Sequence, residues 1–127
     1  MPRVKVGADD PAAIYFTGGT TGSPKGVVHT QKSAVSLQAT QLIGAEIKQD
    51  ERMLLNTPFA HAAGLFCQSA VIRGATVVIE EGFDALKTPD ILASKRITWT
   101  FLVPTMLYRL LDEIARRPIP PHLSLRT

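Results

Sequence analysis

The sequence predicts an α/β fold, a mostly parallel sheet with flanking helices. Three observations carry that expectation. Short apolar runs alternate with helical periodicities at close spacing, the pattern of right-handed crossover units. The runs VVI and FLV are nearly all apolar, as strands covered on both faces are. Hydrophobic residues make up 45% of the chain and charged residues only 20%, a composition that folds around a core rather than staying disordered.

The elements follow in order. Ala12 to Thr17, AAIYFT, is a β-prone run that stops at a glycine-rich loop, and Gly26 to His29, GVVH, resumes an extended run beyond it. From Thr30 to Ile47, Ala34, Val35, Leu37, Leu42, Ile43 and Ile47 fall near helical spacing, with Thr30 or Gln31 at the start. ERMLLNTP is a strand ended by Pro58. AHAAGLFCQSAVIRG is a helix closed by Gly74, which takes the left-handed conformation at low cost. ATVVIE is a strand. Thr88, Pro89 and Asp90 supply a capping hydroxyl, a proline at the first helical position and an early acid, for a helix to about Arg96. ITWTFLV is the last strand. Pro104 opens a helix with Met106, Leu107, Leu110, Leu111 and Ile114 on one face until Pro118 stops it.

At 127 residues the chain is within one-domain size and would bury roughly two-thirds of its unfolded surface, provided its apolar faces find partners within it. The formal charge is +3, with scattered basic residues and 6% aromatics, so no basic stripe or basic–aromatic interleaving points to nucleic acid. The single Cys67 cannot form an internal disulfide and sits in an apolar run beside Phe66, where buried cysteines are common; a reducing compartment follows. The stretch MPRVKVGADDPAAIYF lacks the apolar run and small-residue cleavage site of a secretory signal, and no run approaches the roughly 18 apolar residues of a membrane span. A soluble, cytoplasmic protein is expected.

The stretch FTGGTTGSPKG, Phe16 to Gly26, holds four glycines, three threonines, a serine, a proline and one lysine in eleven residues. Successive glycines let a backbone approach a ligand closely and take positive φ, so that peptide N–H groups converge on an anion. Thr17, Thr20, Thr21 and Ser23 add hydroxyls, and Lys25 adds a charge. These are the parts of a phosphate cradle. A Walker A loop is disfavoured, because there Lys directly follows Gly and a helix comes next, whereas Pro24 precedes Lys25, Gly26 follows it and a strand comes next. A plain hairpin turn would explain one or two glycines, not this density of hydroxyls ending in a lysine.

YFTGGTTGSPKGVVHTQ resembles the signature loop of the adenylate-forming superfamily, which includes acyl-CoA synthetases, luciferases and peptide-synthetase adenylation domains. NTPFAHAAGLF is similar to that family's second motif, an apolar strand followed by Pro, an aromatic, His and Gly, here Pro58, Phe59, His61 and Gly64. RGATVVI and WTFLVPTMLYRLLD resemble the segments that come next in acyl-CoA synthetases. The likeness runs in order from residue 9 to about 117.

The resemblance implies a carboxylate–CoA ligase: a carboxylate attacks the α-phosphorus of ATP to give an acyl-adenylate and pyrophosphate, and a thiol, usually of CoA, then takes the acyl group. ATP, Mg²⁺ and CoA are the implied cofactors and a small-molecule carboxylate, fatty or aromatic, the implied partner. Fatty, aromatic and short-chain acids all remain open, as do CoA and a carrier-protein thiol as acceptor. Thr17, Gly18, Gly19, Thr20, Thr21, Gly22 and Lys25 are assigned by the resemblance to the β- and γ-phosphates, with no residue assigned to metal. Gly18 departs from the Ser often found there. His61 is assigned a place near the acyl pocket and the adenylate; a hydrogen-bonded, structural histidine at a helix start is the alternative. Phe59, Ala60, Ala62 and Ala63 would form an apolar wall beside it. Trp99, Phe101 and the Met106–Ile114 stripe read as core, His29 as a strand end, and His122 has no identifiable partner.

The family would continue with a Gly-Tyr-Gly-x-Thr-Glu-like segment for adenine and Mg²⁺, an Asp for the ribose and a C-terminal domain bearing the adenylation lysine, none of which this sequence contains. Residues 1–127 are therefore expected to be an incomplete part of the large N-terminal AMP-binding domain, inactive alone, with an irregular Pro-rich tail over 118–127. Strands without their neighbours would leave edges and apolar faces exposed and favour self-association. The alternative is a non-catalytic nucleotide-binding or interaction module.

Overall fold

The computed structural model describes residues 4–18, 22–116 and 123–126. Gly19, Thr20, Thr21, Pro118 and His122 lie outside the described residues, as does most of the expected tail. The chain forms two compact units, Met1–Glu46 and Ile47–Thr127.

In the first unit, β1 (Pro11–Thr17) and β2 (Lys25–Thr30) pair antiparallel, and α1 (Gln31–Gly44) follows directly. The Thr30 hydroxyl accepts from the Ser33 N–H at 3.3 Å, the expected cap. Two more first-turn donors are met by the segment before β1: Gln31 N–H donates to Asp10 O at 2.9 Å and Lys32 N–H to Ala8 O at 2.8 Å. The helix stops short of Ile47, because Glu46 takes a left-handed φ of 47° that no α-helix continues through. Ile47 is instead buried in the second unit. None of the residues of α1 is buried, and Val35 and Ile43 are 68% and 78% exposed.

The second unit is built on a three-stranded parallel sheet in the order β4 (Thr76–Ile79), β3 (Arg52–Leu55), β5 (Trp99–Thr100). Its helices are α2 (Ala62–Arg73), α3 (Thr88–Ser94) and α4 (Pro104–Arg116). Side chains alternate across the sheet. Leu54 and Val78 meet Leu92 and Ile91 of α3, Leu110 and Ile114 of α4, and Ile97, Phe83, Leu102 and Leu123. α2 packs on β3 and β4, with Ala63 and Ala70 buried, and its Phe66 ring lies 5.1 Å from Trp99 and 4.9 Å from Phe101. Met53, Leu54 and Leu55 have no exposed surface, which makes β3 the centre of the core. The expected α/β architecture with a parallel sheet is what the chain forms.

Several details differ from expectation. β5 is two residues long rather than seven: only Trp99 and Thr100 pair, with Met53 and Leu54, and Phe101 to Val103 leave the ladder before Pro104 opens α4. β4 is not covered on both faces, since it is an edge strand and Ile79 is exposed. Thr88 does not cap α3. Its hydroxyl donates to the Asp84 carbonyl at 2.6 Å, because the chain already turns between Asp84 and Thr88 and the side chain bonds back along that turn. On α4, Leu110 is buried but Leu107 and Leu111 of the same stripe are exposed. Residues 123–126 carry no helix or strand; Arg126 N–H donates to Thr98 O at 2.8 Å and its Nε lies 2.7 Å from Glu51 Oε1.

Candidate functional site

The glycine loop hangs from the open end of the β1–β2 ribbon. The register pairs Phe16 with Gly26 and Thr17 with Lys25, so residues 18–24 leave and return at one point, with Lys25 on the last rung and exposed. Gly26 has a steric reason to be glycine: an added Cβ would stand 2.9 Å from Ile14 Cγ2 and 3.4 Å from the Phe16 ring. Phe16 thus lies across Gly26 and holds the register at the root of the loop.

Gly18 and Gly22 differ from Gly26. Gly18 takes no positive φ, and among the described residues a Cβ at either position would meet nothing within 4 Å. No contact with the described residues asks for glycine at either position. Both are exposed and leave bare backbone toward solvent. Gly19, Thr20 and Thr21, assigned to the same cradle, lie outside the described residues.

The ribbon has two unlike faces. Position 25 shares a face with Tyr15, Val27 and His29 by strand alternation, and the Tyr15 and His29 rings meet edge to face at 5.1 Å and 83°. The other face carries Ile14, Phe16 and Val28, all more than half exposed. His29 is in β2 beside its final residue, against Tyr15.

His61 lies in the second unit, between the end of β3 and the first residue of α2, with φ −132° and ψ −136°. Its carbonyl accepts from Gly64 N–H at 3.1 Å. The imidazole is exposed, does not cap the helix and makes no hydrogen bond among the described residues, so the hydrogen-bonded structural alternative finds no partner there. Of the apolar wall expected around it, Phe59 and Ala60 are exposed and Ala62 is half-buried, but Ala63 is turned into the core. The turn sits at the carboxyl end of the central parallel strand, where open α/β sheets bind ligands.

Sequence reasoning missed the buried polar cluster at the opposite, amino end of the sheet. Glu51, 4% exposed, accepts from the Thr98 hydroxyl and pairs with Arg126, while the Thr98 hydroxyl also accepts from Arg52 N–H at 2.9 Å. Thr98 stands 46 and 47 residues from its two partners Arg52 and Glu51, Arg126 lies farther along the chain still, and no local pattern joins them.

Known proteins are similar to this chain in sequence and in fold. The family described as AMP-binding enzyme matches residues 1–125. The medium/long-chain-fatty-acid–CoA ligase FadD8 of Mycobacterium tuberculosis is 40% identical over 117 residues, which are 89% of this chain and 20% of FadD8. Indoleacetate–CoA ligase of Aromatoleum aromaticum is 41% identical over 111 residues, 84% of this chain and 22% of that enzyme. The inhibitor-bound N-terminal domain of FACL13 from Mycobacterium tuberculosis superposes with a TM-score of 0.82 at 33% identity, over 98% of this chain and 31% of that one. The chain thus spans about a fifth of the length of these curated relatives. Among the described residues, no helix is long and apolar enough to cross a membrane.

Proposed function

The chain belongs to the AMP-binding enzyme family, and from that membership we propose that it serves ATP-dependent activation of a carboxylic acid, as a segment of the N-terminal domain of an acid–CoA ligase. In that reaction a carboxylate oxygen displaces pyrophosphate from the α-phosphorus of ATP, and a thiol, that of CoA, then displaces AMP from the acyl group. The chain's part is to hold the triphosphate tail. Main-chain N–H groups of residues 18–22 face the β- and γ-phosphates, the hydroxyls of Thr17, Thr20 and Thr21 add donors, and the Lys25 ammonium offsets charge that accumulates on the departing pyrophosphate.

One observation supports this most: Gly18 and Gly22 are glycines that no contact among the described residues requires, in a loop closed by the Thr17–Lys25 rung. Bare backbone kept without an internal reason fits an external ligand that must come close. Among the described residues no group of three His, Cys, Asp or Glu side chains could hold a metal ion. No step here is assigned to Mg²⁺.

His61 belongs to the acyl side of the reaction, with Phe59 beside it. Two exposed groups of that kind, one aromatic and one imidazole, suit an acid whose acyl part is apolar. The 127-residue chain alone holds nucleotide without completing the chemistry.

Pyrophosphate exchange into ATP by the full-length protein, over a panel of fatty and aromatic acids, tests the proposal. Exchange dependent on an acid is expected, and Lys25→Ala should slow it about 10²-fold or more, the effect of removing one preorganised charge partner. ATP binding without exchange for any acid would instead favour the non-catalytic module.

A further inference from the structure

We infer that Gly64 is a positioning residue for the Pro58–His61 turn, and through that turn for the acid; the second half of this statement rests on the function proposed above. Glycine in a helix is less favourable than alanine, and α2 opens with alanine at positions 62 and 63 before switching to Gly64. Backbone conformation does not explain the switch, since Gly64 has no positive φ. Space does. A Cβ at Gly64 would overlap the carbonyl oxygen of Phe59, with the carbonyl carbon at 3.5 Å and the ring Cδ1 at 3.9 Å.

The obstructing atom is backbone, so no rotamer change removes the overlap. Either the turn moves or the first turn of α2 does. Gly64 also donates its N–H to the His61 carbonyl at 3.1 Å. The two ends of the segment that carries the exposed Phe59 ring and the exposed His61 imidazole therefore both rest on this one residue. That segment leaves the carboxyl end of β3, so a shift of the turn moves both side chains at the edge where a ligand of this sheet would lie.

The test is Gly64→Ala in the full-length protein, read by pyrophosphate exchange with the acid and ATP varied separately. The KM for the acid should rise about 10-fold or more while that for ATP stays within about twofold, because misplacement of side chains by ångström fractions acts on the substrate they face. Gly44→Ala is the control: a Cβ there meets nothing within 4 Å, and both KM values should remain those of the wild type. A merely structural role would lower the folded fraction, and with it kcat, at unchanged KM for the acid; that result overturns the inference. Should Gly64→Ala not fold, Pro58→Gly loosens the same turn from its exposed end and should give the same acid-selective rise, and a wild-type KM there is equally contrary. A wild-type enzyme that exchanges pyrophosphate with no acid would defeat the proposed function itself, whereas an active wild type with an indifferent Gly64→Ala defeats only this inference.

Discussion

The amide of Ile97 donates to the carbonyl of Leu92 at 2.9 Å across the end of α3, and both side chains are fully buried in one cluster. Arg96 between them donates to Ala93 O at 3.0 Å and has φ 50°. α2 ends the same way: Ala75 N–H reaches Ala70 O at 2.9 Å, Gly74 N–H reaches Val71 O at 3.1 Å, and Gly74 has φ 75°. Both are the paired-bond helix stop that wants a left-handed residue, filled once by glycine and once by arginine.

Exchanging those residue types should move stability in opposite directions. Gly74→Ala is expected to lower it by about 1 kcal/mol from conformation alone, since a Cβ there meets Gln49 Cγ at an ordinary 3.5 Å. Arg96→Gly should raise stability by about 0.5 kcal/mol, the relief of the left-handed arginine being partly offset by the freer unfolded chain. Urea titration followed by Trp99 fluorescence reads both, because the single tryptophan lies in the sheet of the second unit.

Glu51 and Arg126 give a second prediction. Arg126→Ala leaves a carboxylate that is 4% exposed without its ion-pair partner and should lower stability by about 3 kcal/mol, the low end for a broken buried pair because the Arg126 side chain is 29% exposed. Thr98→Val removes the hydroxyl shared by Glu51 and Arg52 and should lower it by about 1–2 kcal/mol. The same Trp99 titration measures each; a loss below about 0.5 kcal/mol for Arg126→Ala would mean the ion pair does not hold residues 123–126.

Local chemistry made much of this readable in advance. Thr30 and Gly74 announce a helix start and a helix stop by side-chain chemistry confined to one turn, and the two strands beside the glycine loop show in their apolar pattern. Arg96 gives no such sign, because arginine is not a left-handed residue by preference; the burial of Leu92 and Ile97 fixes its φ. β5 is shorter than its sequence suggests because Phe101, Leu102 and Val103 are apolar without being paired, and pairing depends on a neighbouring strand that composition does not reveal. For the site, the cradle's residue types are legible, but the contrast between Gly26, against which Ile14 and Phe16 pack, and Gly18 and Gly22, whose added Cβ would meet none of the described residues, lies in three-dimensional contacts that no local pattern announces. Gly64 likewise reads in sequence as one more motif glycine, and only the fold sets the Phe59 carbonyl against it.

The apolar surface left bare predicts association. Val35 and Ile43 on α1, Phe16 on the ribbon and Ile79 on an edge strand are each at least 60% exposed. Sedimentation velocity of the 127-residue chain should show a mass that rises above the monomer's with concentration, and Val35→Lys with Ile43→Lys should reduce that rise. A strictly monomeric chain at every concentration would contradict this.

A crystal structure of the full-length protein with ATP tests the central claim most directly. The account predicts β- and γ-phosphate oxygens within about 3.2 Å of main-chain nitrogens of residues 18–22 and of Lys25 Nζ. A triphosphate bound elsewhere, with those amides turned to partners inside the protein, would contradict it.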